Sequence, residues 1–291
     1  DSSGLPQVAY HDSDNSGKAS MMRFDGSQWV QVGPAGFTPG AVFDVSLAFD
    51  SSGKQLLAYT DLAAASKASV MRFNGTDWEQ VGEQGFTSQK AEHLSLVVDS
   101  TGMPYLAYTD ETGSGQAASV MRFDGSQWTQ VGPVGFTPDT AWEISLAVDA
   151  AGAPHVAYAD AANGYKASVM RFNGTNWEQV GEAGFSADIA VSTGLAFDSS
   201  GAPCVVYRDE ASSGKASMMR FNGTDWEQVG RQGFSADGVM HLSLALDSSG
   251  APCVAYQDGS DGGKASVMRL AAADPDLAPV LTPVYKLLLR R

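Results

Sequence analysis

Residue types alternate along Lys67-Ala-Ser-Val-Met-Arg-Phe73, break at Asn74-Gly75, and resume at Trp78-Glu-Gln-Val81. A period of two marks a strand, and Asn-Gly tolerates the positive φ of a tight hairpin, so the stretch predicts strand, turn and strand. Versions of it recur along nearly the whole chain. A second pattern, a turn followed by a short apolar strand, runs through Asp50-Ser-Ser-Gly-Lys-Gln-Leu-Leu-Ala-Tyr-Thr-Asp61. It begins again at Asp1, Asp99, Asp149, Asp198 and Asp247, six copies with a period of about 49 residues. Each copy carries a tyrosine in register, at Tyr10, Tyr59, Tyr108, Tyr158, Tyr207 and Tyr256. A third pattern, typified by Leu242-Ser-Leu-Ala-Leu246, appears five times.

Four short strands per repeat follow: A (Leu-Ser-Leu-Ala), B (Val-Ala-Tyr), C (Ser-Val-Met-Arg-Phe) and D (Trp-Glu-Gln-Val). The chain enters at B of the first repeat and leaves after C of the sixth. Repeated four-stranded units with hairpin-length links predict an all-β, six-bladed β-propeller of antiparallel blades spanning residues 1–270. A parallel β-helix is the competitor, but its coils are shorter and lack four distinguishable strands. The tail, 271–291, sits where the sixth D and the first A strands are missing. Pro275, Pro279 and Pro283 argue against a regular strand in its first part. Val284 to Leu289 reads either as an added strand that closes the ring by completing the first blade, or as a short helix.

Phe24-Asp-Gly-Ser-Gln-Trp29 and Phe73-Asn-Gly-Thr-Asp-Trp78 represent a hairpin found in five of the six repeats. It resembles the Asp-Gly-Ser-x-Trp hairpins of secreted and cell-surface propeller repeat proteins, and is distantly similar to the Asp-box turn of sialidase-like propellers. The spacing differs from that of the Asp-box. The arginines here also recur once per repeat, where sialidases gather a non-repeating cluster. The resemblance implies a fold and no particular activity, because propellers host binding and catalysis alike.

Charge narrows the partners. With 33 acidic against 18 basic residues, the formal net charge of −15 disfavours nucleic-acid phosphate and anionic membrane surfaces. No apolar run is long enough to cross a bilayer as a helix. Cys204 and Cys253 hold the same place in successive repeats and are expected to be buried free thiols.

Six arginines in one register (Arg23, Arg72, Arg122, Arg171, Arg220 and Arg269) suggest an anion ring, but are better explained as structural, paired with repeated acids such as Asp50 or Asp61. The repeated tyrosines and tryptophans are likewise expected to be packing residues. Asn74, Asn173 and Asn222 satisfy the glycosylation pattern, yet Asp25 and Asp124 fill the same turn, so turn chemistry explains them. Asp12 to Gly17 and Asp258 to Asp261 faintly resemble oxygen-rich Ca²⁺ loops without the remaining ligands. No cofactor is predicted; Ca²⁺ is the metal these turns would suit, and the two histidines and two carboxylates His93, His241, Asp44 and Glu143 are adequate ligand types for a transition metal but lack any short-range ligand spacing.

Positions that vary between near-identical repeats are not fixed by shared packing, so function is sought there. The B–C links vary, as do the residues just before strand A: Phe43-Asp44, Glu92-His93, Trp142-Glu143, Val191-Ser192 and Met240-His241. Both sets are expected on one face, where Asp44, His93, Trp142, Glu143 and His241 would form a ligand-binding channel rim. The expected function is a non-catalytic scaffold, extracellular or on the cell surface, presenting this acidic face to a carbohydrate or protein. The alternatives are a hydrolase or lyase using Asp44, Glu143, His93 and His241 as acid/base groups, and a structural module of a larger complex.

Overall fold

The computed structural model describes residues 5–112, 115–247 and 251–269. These form six antiparallel sheets of three or four strands, with single-turn 3-10 helices as the only helical structure among the described residues. The chain divides into two compact units, Asp1–Thr137 and Pro138–Arg291.

The first unit holds three sheets. β1 (Gln7–Asp12), β2 (Lys18–Phe24) and β3 (Trp29–Gln31) make the first. β4 (Val42–Phe49), β5 (Gln55–Asp61), β6 (Lys67–Phe73) and β7 (Trp78–Gln80) make the second. β8 (Ala91–Val98), β9 (Pro104–Thr112), β10 (Gly115–Phe123) and β11 (Trp128–Gln130) make the third.

The second unit repeats the plan. Its sheets are β12 (Ala141–Val148) to β15 (Trp177–Gln179) through β13 (Pro154–Asp160) and β14 (Lys166–Phe172), then β16 (Ala190–Phe197) to β19 (Trp226–Gln228) through β17 (Pro203–Asp209) and β18 (Lys215–Phe221). β20 (Val239–Leu246), β21 (Pro252–Asp258) and β22 (Lys264–Arg269) form the last. Strands A to D thus fall where the repeat predicts. The tail 271–291, with its expected ring-closing strand, lies outside the described residues.

In both units, aromatic stacking joins neighbouring sheets. Trp128 lies flat on Phe86 (ring centroids 4.4 Å, 6° between planes), and its indole N–H donates to the Val81 carbonyl at 2.9 Å. In the second unit Trp226 stacks on Phe185 at 4.1 Å and donates to the Val180 carbonyl at 2.9 Å. A side chain on Gly82 would press within 2.9 Å of the Trp128 ring, and Gly33 and Gly181 meet the next tryptophan in the same way; at Gly230, where nothing lies within 4 Å, the left-handed φ of 66° alone calls for glycine. Tyr59, Tyr108, Tyr158 and Tyr207 are fully buried, as expected of packing residues, and burial pushes their hydroxyls up in pKa.

The acid that ends strand B organises the B–C link. Asp209 Oδ1 accepts the Ala211 N–H at 3.0 Å and caps a 3-10 turn at Glu210–Ser212, while Oδ2 accepts the Ser217 hydroxyl at 2.7 Å. The Ser217 Oγ in turn accepts the Gly233 N–H at 2.9 Å. Asp61, Ser69 and Gly85 repeat the relay (3.0 and 2.8 Å), as do Asp160, Ser168 and Gly184 (2.7 and 2.8 Å). The Asp61-type acid is therefore engaged by hydroxyl and amide donors, and the repeated arginine turns to the Asp50-type acid instead. Arg220 meets Asp198 at 2.5 Å, Arg269 meets Asp247 at 2.6 Å, and Arg171 stands 3.7 Å from Asp149.

Both cysteines are free. Cys204 is buried, and its desolvation raises the thiol to about 11. Cys253 corrects the expectation, being only half-buried on the middle strand of the last sheet.

Candidate functional site

The variable residues before strand A are not in a link. Strand A already starts at Val42, Ala91, Ala141, Ala190 and Val239, so all five candidate residues lie inside it. The pairing with strand B slips there, between Trp142 and Ser145 in β12 and between Met240 and Ser243 in β20. Such a bulge sets two residues of one strand against one of its partner and re-aims their side chains. One residue of each of the four later bulges is left-handed: His93 (φ 51°), Glu143 (φ 50°), Ser192 (φ 53°) and His241 (φ 51°). A non-glycine residue held there costs about 1–3 kcal/mol, and such strain gathers at functional sites. Alternation alone predicts a strand start after these residues, because the bulge interrupts the period of two.

In the first unit the bulges of β4 and β8 are tied together. Asp44 Oδ2 accepts the His93 backbone N–H at 2.6 Å, and the Ser46 hydroxyl accepts the Leu96 N–H at 2.9 Å. Asp44 and His93 are therefore neighbours, but through a carboxylate and a backbone amide. Phe43, preceding Asp44, is 67% exposed.

In the second unit Trp142 is 44% exposed, beside the ring of Tyr165 from the β13–β14 link (centroids 5.6 Å, planes 44° apart). Glu143 follows Trp142 in the bulge, and its carbonyl accepts the Thr193 hydroxyl from β16. The Ser145 hydroxyl accepts the Leu195 N–H at 3.0 Å, so β12 is fixed against β16 within the bulge and just after it. His241 is exposed on β20, next to Met240, itself 52% exposed.

Tyr165 is the residue that the sequence reading passed over. Its counterparts are Gly17, Ser66, Gly115, Gly214 and Gly263, and its φ of 61° explains the glycines. It is held on both sides, its N–H donating to the Asp160 carbonyl at 2.7 Å and its carbonyl accepting the Ala190 N–H at 2.9 Å. A tyrosine at a glycine position in an otherwise regular repeat is a visible signal. Its partnership with Trp142 is not, since the two stand 23 residues apart on different segments.

Acidic turns that resemble Ca²⁺ loops have their carboxylates engaged. Asp12 accepts from Asp14 N–H (3.1 Å), the Asn15 amide (2.8 Å) and the Ser20 hydroxyl (2.5 Å). Donation from Ser20 is the main cause that lowers the Asp12 pKa. Asp258 accepts from Ser260 N–H and hydroxyl and from Ser266. Among the described residues no three His, Cys, Asp or Glu side chains are grouped to hold a metal ion, and no helix is long and apolar enough to cross a membrane. The side-chain Oδ1 of Asn74 accepts the Thr76 and Asp77 N–H groups (2.8 and 2.9 Å), closing the turn as the Asp25 carboxylate does with Ser27 and Gln28.

Six radially repeated sheets of this strand order define a class: the chain has the six-bladed β-propeller fold, the fold also described for the Aleuria aurantia lectin. That fucose-specific lectin is 14% identical, with 96% of this chain and 93% of its own covered at a TM-score of 0.63. SapL1 lectin, solved with α-methyl fucoside, is 14% identical over 92% of each chain at a TM-score of 0.63. An ulvan lyase from a polysaccharide lyase family is 12% identical, covering 98% of this chain and 81% of its own at 0.60. No protein-family profile and no curated protein sequence matches.

Proposed function

We propose that the protein is a non-catalytic carbohydrate-binding scaffold whose saccharide rests on Trp142 and Tyr165, with Glu143 at the edge of the site. The observation that carries this is the strained Tyr165, set where other repeats keep glycine or serine and placed against an exposed tryptophan. Shared packing needs neither ring in the open. Sugar rings offer apolar C–H faces to aromatic surfaces and hydroxyl donors to a carboxylate, and a few polar groups at an apolar platform are what orient a small ligand. Fold neighbours named as fucose-binding lectins support the reading. The carboxylate of Asp44 is already spent on the His93 amide, which favours binding over the acid/base alternative. An extracellular or cell-surface location goes with this reading.

A glycan array probed with the labelled full chain and with Trp142→Ala tests it. The wild type is expected to bind a defined subset of glycans, and the variant to lose at least about 1.4 kcal/mol, or tenfold in affinity. Retention of the whole pattern by the variant, or an array on which the wild type binds nothing, would overturn the reading.

A further inference from the structure

The hairpins between strands C and D come in two chemistries. Asp25-Gly-Ser27 and Asp124-Gly-Ser126 are followed, opposite the repeated arginine, by Val30 and Thr129. Asn74-Gly-Thr76, Asn173-Gly-Thr175 and Asn222-Gly-Thr224 are followed there by Glu79, Glu178 and Glu227. Aspartate thus goes with serine and no acid, and asparagine with threonine and an acid. These turns close the end of strand C opposite Tyr165, so they are separate from the saccharide platform.

Hydrogen bonding explains the pairing, because a carboxylate only accepts whereas an amide also donates. Asp124 Oδ1 accepts the Ser126 N–H, the Ser126 hydroxyl and the Gln127 N–H at 2.8, 2.7 and 2.9 Å. Asn74 instead uses its Nδ2 to donate to Glu79 Oε1 at 2.5 Å, while its Oδ1 accepts the two turn amides. Asn222 donates to Glu227 at 2.5 Å, and Asn173 donates to Glu178. All three asparagines and all three glutamates are exposed.

An exposed Asn-Gly bond is chemically labile. The glycine nitrogen, once it has lost its proton to solvent base, attacks the asparagine Cγ; a C–N bond forms, the Cγ–Nδ2 bond breaks, and ammonia leaves a succinimide ring. Water then opens either ring carbonyl to give aspartate or isoaspartate, so one water enters and one ammonia departs. Gly75, Gly174 and Gly223 border open space, with nothing within 4 Å of where a Cβ would stand. The paired glutamate opposes the attack in two ways. Its hydrogen bond holds the leaving Nδ2 in place, and its charge disfavours the negative charge that builds on the attacking nitrogen and on Oδ1.

We infer that Asn74, Asn173 and Asn222 are deamidation sites, each kept in its amide form by the glutamate of its own hairpin, and that conversion to aspartate loosens the hairpin by setting two carboxylates together. Asp25 and Asp124 show that an aspartate fits this turn where no acid faces it. Glu79 acts as a positioning residue for the Asn74 amide.

Peptide mapping by mass spectrometry of the full chain, incubated folded in mildly alkaline buffer, tests this by counting aspartate and isoaspartate at each site. Glu79→Val recreates the pairing of Arg23 with Val30, so the variant should fold. Loss of Asn74, taken relative to Asn173 and Asn222 in the same molecules, is expected to quicken about fivefold in Glu79→Val. Glu79→Gln, which keeps an acceptor oxygen and loses the charge, should quicken it less. An unchanged ratio in Glu79→Val, or an equal rise in Glu79→Gln, overturns the protective role. Thermal unfolding reads the consequence: Asn74→Asp should lower the melting temperature when Glu79 is present and leave it unchanged in the Glu79→Val background. Equal lowering in both backgrounds would overturn the opposition of carboxylates.

Discussion

His155 is 4% exposed, edge-on to Phe197 at 4.8 Å, with its Nδ1 3.1 Å from the Ala153 carbonyl. Burial is the largest influence on the ring and pushes its pKa below the ordinary 6.5, with Arg171 acting in the same direction and the Ala153 carbonyl and Asp149 opposing. The unfolded chain therefore takes up a proton that the folded chain resists. The stability this contributes is present above about pH 6.5 and is lost as pH falls below it, until the folded ring also protonates. His155→Leu, which restores the residue type of Leu56, is expected to flatten the fall in melting temperature from pH 7 toward pH 5. An identical slope in the variant would show that other groups cause it. At this scale the sequence reads well for residues that repeat and poorly for those that do not. His155 could be placed in a strand from its position, but its neutral state depends on a neighbour 42 residues away.

Strands and turns were legible element by element, because alternation, Asn-Gly and Asp-Gly turns and the repeat all agree. The bulge in strand A was not, since its local signal is an interruption of the pattern that marks a strand. It matters most, because it moves Trp142 and Glu143 from a loop onto a strand braced by Thr193 and by the Ser145–Leu195 bond. Stability is expected to reside in the contacts between sheets within each unit. Trp128→Ala removes a buried ring stacked on Phe86 and orphans the Val81 carbonyl, which should cost about 3–5 kcal/mol in denaturant unfolding. Trp29→Ala, on the half-buried first D strand, should cost less. Equal losses would mean that the stacking does not set stability.

For the whole molecule, the period of about 49 residues was enough to count six repeats and infer the fold, because each repeat specifies one sheet. The proposed saccharide site was not legible, because it rests on a departure, Tyr165, whose meaning depends on which segment folds beside it. The charge of −15 does bear on partners directly: at physiological salt the chain should not retard duplex DNA in a gel, and retardation would point to a basic surface that the charge pattern does not suggest. Function and stability should trade off at the saccharide platform. Tyr165→Gly removes the ring and also relieves a left-handed residue, worth about 1–2 kcal/mol. Calorimetry with the best array ligand, run alongside thermal unfolding, is therefore the most direct test: saccharide affinity should fall at least tenfold while the melting temperature holds or rises, and unchanged affinity in Tyr165→Gly would contradict the account.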